Sequence, residues 1–256
     1  MISNKLIPIS AFLLLTPLAG LAQEEDEGPS SYIYSTYHYC STNGQDRADE
    51  LYEQVDKPIM DQLLADGKVT AYGWLVHHTG GQWRRAEYFS APSLDALLDA
   101  QDAIGEAAEK ADPEGKLADE FGEACPNHDD YIWASATVGT GLAERGPAGF
   151  SVYYVCNENG EARADEIVAK NFAPIYDKAV ADGKLTSWGW SEHWVGGKYR
   201  RLLTTTAADH KTLLKTRNEL IEAAYETEGM EEIGKEFSEI CGSHTDYMWD
   251  IVHEKP

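Results

Sequence analysis

The period of hydrophobic and polar positions changes several times along this chain, and the whole series of changes is run through twice. Tyr32 to Cys40 is a strand-like run of aromatic and β-branched residues, and Phe150 to Cys156 matches it. Asn43-Gly44 then marks a turn. From Ala48 to Leu64 the apolar residues Leu51, Val55, Ile59, Leu63 and Leu64 fall at helical spacing, with Gly67 as a C-cap. Pro58 interrupts this helix and Pro174 interrupts its second copy, which predicts a kink in each. Val69 to His78 and Gln82 to Ser90 flank Gly80-Gly81, two residues that tolerate positive φ, and read as a β-hairpin. A long helical stretch from Leu94 through Phe121 follows, broken near Asp112-Pro113-Glu114-Gly115, and a last short strand starts at Asp130-Tyr131. Each unit reads β-α-β-β-α-β.

The two series are copies. Shifted by 116 positions without a gap, Tyr32 to Ser135 lies on Ala148 to Ile251, with roughly a third of the columns identical. Shared columns include the run Arg47-Ala48-Asp49-Glu50 against Arg163-Ala164-Asp165-Glu166, Gly73-Trp74 against Gly189-Trp190, His77 against His193, and Gly80-Gly81-x-x-Arg84-Arg85 against Gly196-Gly197-x-x-Arg200-Arg201. The expected organisation is repeat one at 32–138, a Gly-rich linker at 139–147 and repeat two at 148–256, each of ordinary single-domain size. Joining such elements by right-handed crossovers predicts an α+β fold: a four-stranded antiparallel sheet per repeat in spatial order 4-1-3-2, with both helices on one face.

Ahead of the repeats lies an address. Lys5, the apolar run Leu6 to Leu18 and the small-x-small Gly20-Leu21-Ala22 read as a signal peptide over 1–22, followed by an acidic, disordered segment at 23–31. The apolar run is shorter than a bilayer-spanning helix needs, so the expectation is an exported, periplasmic or secreted protein with no membrane insertion after cleavage. A formal charge of -23 repels phosphate backbones, which argues against nucleic acid as a partner.

Export bears on the cysteines. All four sit at repeat-equivalent positions, Cys40 and Cys125 in one unit, Cys156 and Cys241 in the other. Four cysteines allow three pairings; symmetry favours Cys40 with Cys125 and Cys156 with Cys241 as structural disulfides. The predicted strand order supports the same pairing, because it sets the end of the first strand beside the approach to the last. No cysteine–histidine spacing suited to a metal is present, and no metal site is expected.

A sheet with helices on one side leaves its other face bare, and two tandem copies can cover it by packing sheet against sheet. In this element order and duplication the chain resembles the dimeric α/β-barrel superfamily, in which two ferredoxin-like units press their sheets together, here fused into a monomeric pseudo-dimer. The resemblance implies a class of cofactor-free monooxygenases, isomerases, haem-dependent enzymes and plain ligand binders. It supplies no motif that transfers residue by residue, and no cofactor is expected.

Hairpin pairing divides each repeat into two faces. One carries Gly73, Leu75, His77, Arg84 and Ala86; the other carries Tyr72, Trp74, Val76, Arg85 and Glu87, with Trp188, Trp190, Glu192, Arg201 and Leu203 as its counterpart. Small residues suit helix packing, so the Gly73 face is expected against the helices and the tryptophan face inside the barrel. Tyr72, Trp74, Arg85, Glu87, Trp188, Trp190 and Arg201 are then the candidate ligand-binding residues, for a small aromatic or carboxylated molecule. The alternative is that Arg85 with Glu87, and Arg201 with Glu192, are paired charges sealing an interface between the units. Arg84 is expected to meet Asp49. His77 and His193 are the candidate catalytic bases, while His38, His78, His210 and His253, which lack counterparts, read as surface or packing residues. No phosphate loop, nucleophile elbow or zinc-protease motif occurs. Three functions fit: an exported small-molecule-binding or stress-related accessory protein, a cofactor-free monooxygenase or isomerase, and a purely structural or interaction protein.

Overall fold

The computed structural model describes residues 29–140, 145–226 and 228–256; the expected signal segment, most of the acidic segment and residues 141–144 of the expected linker lie outside them. The first half runs β1 (Tyr32–Tyr39), α1 (Gln45–Leu51), α2 (Lys57–Ala65), β2 (Ala71–Gly80), β3 (Arg85–Ala91), α3 (Leu94–Ala111), α4 (Lys116–Ala124) and β4 (Asn127–Gly139). The second runs β5 (Ala148–Val155), α5 (Glu161–Ile167), α6 (Ala173–Ala181), β6 (Ser187–Val195), β7 (Arg201–Ala207), α7 (His210–Glu226), α8 (Met230–Ile240) and β8 (Ser243–Lys255). The break between α3 and α4 falls at Gly115, whose φ of 69° suits glycine.

Each proline-interrupted helix contains one π-helical turn, Tyr52–Asp56 between α1 and α2 and Val168–Phe172 between α5 and α6. Pro58 and Pro174 have no N–H to give the carbonyl four residues back and would crowd it. Widening the turn just upstream accommodates both.

Eight strands close into an antiparallel barrel in the order β1-β3-β2-β8-β5-β7-β6-β4. Within each half the order is the expected 4-1-3-2. The halves meet edge to edge as well as face to face, through the seams β2–β8 and β4–β6, so every strand has two neighbours and none is left as an open edge. Disulfides join Cys40 to Cys125 and Cys156 to Cys241, each closing a separation of 85 residues within its own half.

Aromatic rings fill the barrel. Tyr37, Trp83, Tyr131, Trp133, Tyr153, Tyr199, Tyr247 and Trp249 are all buried in one cluster with Leu75, Ala86 and Leu202. Tyr37 stacks on Trp83 at 4.2 Å between centroids, Trp83 on Tyr247 at 4.8 Å, and Trp133 Nε1 donates to the Tyr37 hydroxyl at 3.2 Å. The glycine pairs of the two hairpins serve this packing. Gly80 has φ 116° and Gly196 φ 141°. A Cβ on Gly81 would lie 2.2 Å from the Tyr247 hydroxyl, and one on Gly197 2.5 Å from the Tyr131 hydroxyl. Each hairpin therefore receives a tyrosine from the opposite half, and Tyr247 accepts the Gln82 N–H at 2.9 Å.

The expected assignment of faces is reversed. Leu75 and Ala86 point into the barrel, and Gly73 pairs with Tyr88 on that same face. Gly73 is small because the Tyr88 ring lies over it: a Cβ there would stand 2.5 Å from Tyr88 Cε1. Trp74, Arg85 and their second-half counterparts face the helices instead.

Candidate active site between the first sheet and its helices

Helix-facing positions hold the helices to the sheet. Arg85 grips the Asp49 carboxylate of α1 with two hydrogen bonds of 2.6 Å, and its neighbour Trp74 donates Nε1 to the same group at 2.9 Å. Arg201 and Trp190 do the same to Asp165 at 2.6–2.8 Å, with Glu161 as a further partner for Arg201. Trp188 donates to Asp177 at 2.7 Å. Five of the expected ligand residues, Trp74, Arg85, Trp188, Trp190 and Arg201, are thus tied up in part-buried helix-to-sheet bonds; the arginines are paired charges, but with Asp49 and Asp165 on the helices rather than with Glu87 and Glu192. Arg85 rather than Arg84 meets Asp49.

Arg84 belongs to the barrel side. Its Nη1 lies 2.8 Å from His77 Nε2, as Arg200 Nη1 lies 2.9 Å from His193 Nδ1. Burial, followed by the charge of the neighbouring arginine, holds both imidazoles below their ordinary pKa. His77 sits edge-on to Tyr247 and Trp249, and His193 edge-on to Tyr131 and Trp133, so both expected catalytic bases close the ends of a ring-filled barrel.

A cavity of about 530 Å³ opens elsewhere, between the first half's sheet and its helices. Of the expected ligand residues, only Tyr72 and Glu87 line it. Its polar wall includes Thr36 and His38 on β1, Asp56 at the end of the π turn, Glu87 on β3, Gln101 on α3, and His128 and Asp130 on β4; the rings of Tyr34, Tyr52, Tyr72, Phe89 and Phe121 line it as well. This volume lies in the range that holds a small organic molecule.

Three groups in it are held out of their ordinary condition. Burial and the neighbouring Glu87 carboxylate push Asp56 up from 3.8 to about 7. His38 is buried, with Nε2 3.1 Å from Glu87 Oε1, while Nδ1 has no hydrogen-bond partner among the described residues. The Tyr52 hydroxyl, stacked above Trp74 at 4.3 Å, is buried and equally unpartnered, and burial raises its pKa. Unpartnered buried polar atoms are rare enough to ask for a reason, and a cavity wall supplies one.

Among the described residues of the second half, the equivalent place is filled. At repeat-equivalent positions Thr36, His38, Tyr52, Asp56, Glu87 and Gln101 become Val152, Tyr154, Val168, Phe172, Leu203 and Arg217. Phe172 and Tyr154 pack on Phe237 at 5.4 and 5.5 Å, Arg217 lies over the Phe150 ring, and a remnant of about 20 Å³ is left. His38 and Asp56 were missed in the sequence because agreement between the copies was taken as the sign of importance. Disagreement was the better signal: an ionisable residue in one copy facing a hydrophobic or aromatic one in the other.

The fold has known parallels. A protein of Lactobacillus acidophilus assigned as a monooxygenase superposes with a TM-score of 0.57 at 9% identity, covering 88% of this chain and 95% of its own. An anthrone oxidase-like protein gives 0.56 at 10%, covering 90% and 94%. The fold is that of the dimeric α/β-barrel superfamily. A chlorite dismutase variant from Candidatus Nitrospira defluvii shares it at a TM-score of 0.53 and 10% identity, covering 86% of this chain and 92% of its own. The sequence matches no family model and no curated protein.

Proposed function

We propose that this dimeric α/β barrel is an exported, cofactor-free enzyme, a monooxygenase or isomerase, that takes a proton from a small, neutral aromatic substrate held in the first-half cavity. In the same reading, the chain is a tandem fusion of two ferredoxin-like units, 32–138 and 148–256, in which the second has become scaffold. The observation that carries the proposal is the asymmetry between the halves: a 530 Å³ cavity bearing His38, Asp56 and Glu87 in one, and a filled core in the other. The two disulfides fit an oxidising compartment.

Asp56 is the proton acceptor. A base works best when its pKa lies near the operating pH, and a carboxyl raised to about 7 meets that condition. His38, fixed through Nε2 by Glu87, is a second proton carrier beside it, and the Tyr52 hydroxyl donates to the oxyanion that forms when the substrate loses its proton. For an aryl-flanked CH₂ conjugated through its rings to a carbonyl, the carbanion then reduces dioxygen. One oxygen atom enters the product as a new carbonyl, and the other leaves as water with the two hydrogens of the CH₂. Isomerisation returns the proton to another carbon of the same substrate.

Charge limits the substrate class. The lining holds Asp56, Glu87 and Asp130 and neither lysine nor arginine. That disfavours the carboxylated ligand expected from the sequence, whose anion would face three carboxylates. The barrel interior, where a ligand was first expected, is occupied by the chain's own rings.

Anthrone is a suitable probe, being neutral, polycyclic and carrying an acidic CH₂. Oxygen uptake with anthrone in aerated buffer should be catalysed by the wild-type chain and abolished in His38→Tyr. That substitution installs the residue the second half already carries at Tyr154, so the fold tolerates it in kind. Uptake equal in wild type and variant, or neither uptake nor saturable quenching of tryptophan fluorescence by anthrone or simple phenols, would count against the assignment.

A further inference from the structure

A second group of chemistry-bearing side chains lies on the seam where β2 meets β8. His78 stands near the end of β2, Asp250 on β8, and His210 opens α7. His78 Nδ1 is 3.3 Å from Asp250 Oδ2 and His210 Nε2 is 2.6 Å from Asp250 Oδ1, while the two imidazole rings stack at 3.8 Å. The three donor atoms all lie within 4.8 Å of one another.

We propose that His78, His210 and Asp250 form a binding site for a divalent transition-metal ion of zinc's chemical class, tying β2 of the first half to β8 and α7 of the second. Two imidazole nitrogens and a carboxylate suit zinc, copper or nickel; magnesium and calcium prefer all-oxygen surroundings. Bonds of about 2.0–2.1 Å to zinc require donors a little over 3 Å apart, so the widest separation must close by roughly 1.5 Å and the His210–Asp250 pair must open slightly. His78 and Asp250 can move that far, because their side chains are 44% and 49% exposed.

The site is not a by-product of the duplication. At the equivalent places of the other half stand Trp194, Leu94 and Ala134, so the β4–β6 seam closes without these ligands. Exposure of the cluster leaves the remaining coordination positions to water. His210 Nδ1 has no hydrogen-bond partner among the described residues, so nothing orients that ring from behind, and affinity in the micromolar range is expected.

The test is calorimetric titration of zinc into chelator-treated protein purified with its disulfides intact. One site per chain is expected, weakened at least about tenfold in each of His78→Gln, His210→Gln and Asp250→Asn, and not displaced by excess magnesium. At a hundredfold excess over Kd, zinc should raise the thermal midpoint of the parent by roughly 5 °C and leave that of the double histidine variant unchanged. Absence of saturable zinc binding, or the same affinity in the double variant with its far-UV spectrum intact, would overturn the proposal.

Discussion

Replacing Asp56 with asparagine should make this protein more stable, by an amount that grows from about pH 4 and is complete above about pH 7. The carboxyl titrates near 7 in the folded chain against 3.8 in an unfolded one, because burial and Glu87 oppose its charge. Over that interval the folded state binds more protons than the unfolded state, so stability falls as pH rises from 3.8 towards 7 and then levels off. A gap of about 3 pH units at 1.36 kcal/mol each sets a ceiling of about 4 kcal/mol. Water reaching the cavity screens the group, which leaves about 2 kcal/mol as the expected figure. Asp56→Asn keeps the shape and discards the charge. Urea unfolding at about pH 4 and about pH 8.5, disulfides intact, should show wild type and variant nearly equal at the lower pH and the variant about 2 kcal/mol more stable at the higher. Anthrone turnover should disappear in the same variant. A stability difference that does not change between the two pH values would refute the reasoning, since every other titrating group is common to both proteins.

Arg201→Met should cost about 2 kcal/mol in urea unfolding, because it leaves the half-buried Asp165 without its cation while Glu161 keeps Arg200; a loss below about 1 kcal/mol would mean the pair is solvated. Gly81→Ala should destabilise by about 2 kcal/mol through collision with the Tyr247 hydroxyl, and the loss should be smaller in a Tyr247→Ala background. Additive losses would show that backbone freedom, not the tyrosine, requires glycine there.

Much of the path of the chain was open to inspection in the sequence. Alternating and helical periods located all eight strands and the helices, and strand order within each half followed from crossover handedness. The pairing of cysteines agreed with both. Boundaries moved by a few residues: β4 begins at Asn127 rather than Asp130. The expected kinks at Pro58 and Pro174 became widened π turns, and one of those turns delivers Asp56 to the cavity.

Periodicity says that two faces exist, not which is which. Both faces of this sheet are apolar enough to be buried, one under helices and the other inside the barrel, so alternation alone gave no preference. The choice was made by the fit of Tyr88 over Gly73 and of Tyr131 and Tyr247 into the opposite hairpins, contacts between residues far apart in the chain. The candidate active site follows the same rule. His38, Asp56 and Glu87 come from a strand, a helical turn and another strand, and nothing local marks them as neighbours. By itself the sequence determined the duplication, the order of elements and the residue types each half could offer. Only the closed barrel decided which half keeps a cavity, because a volume is set by how side chains from separate elements fill it, and no single segment carries that information.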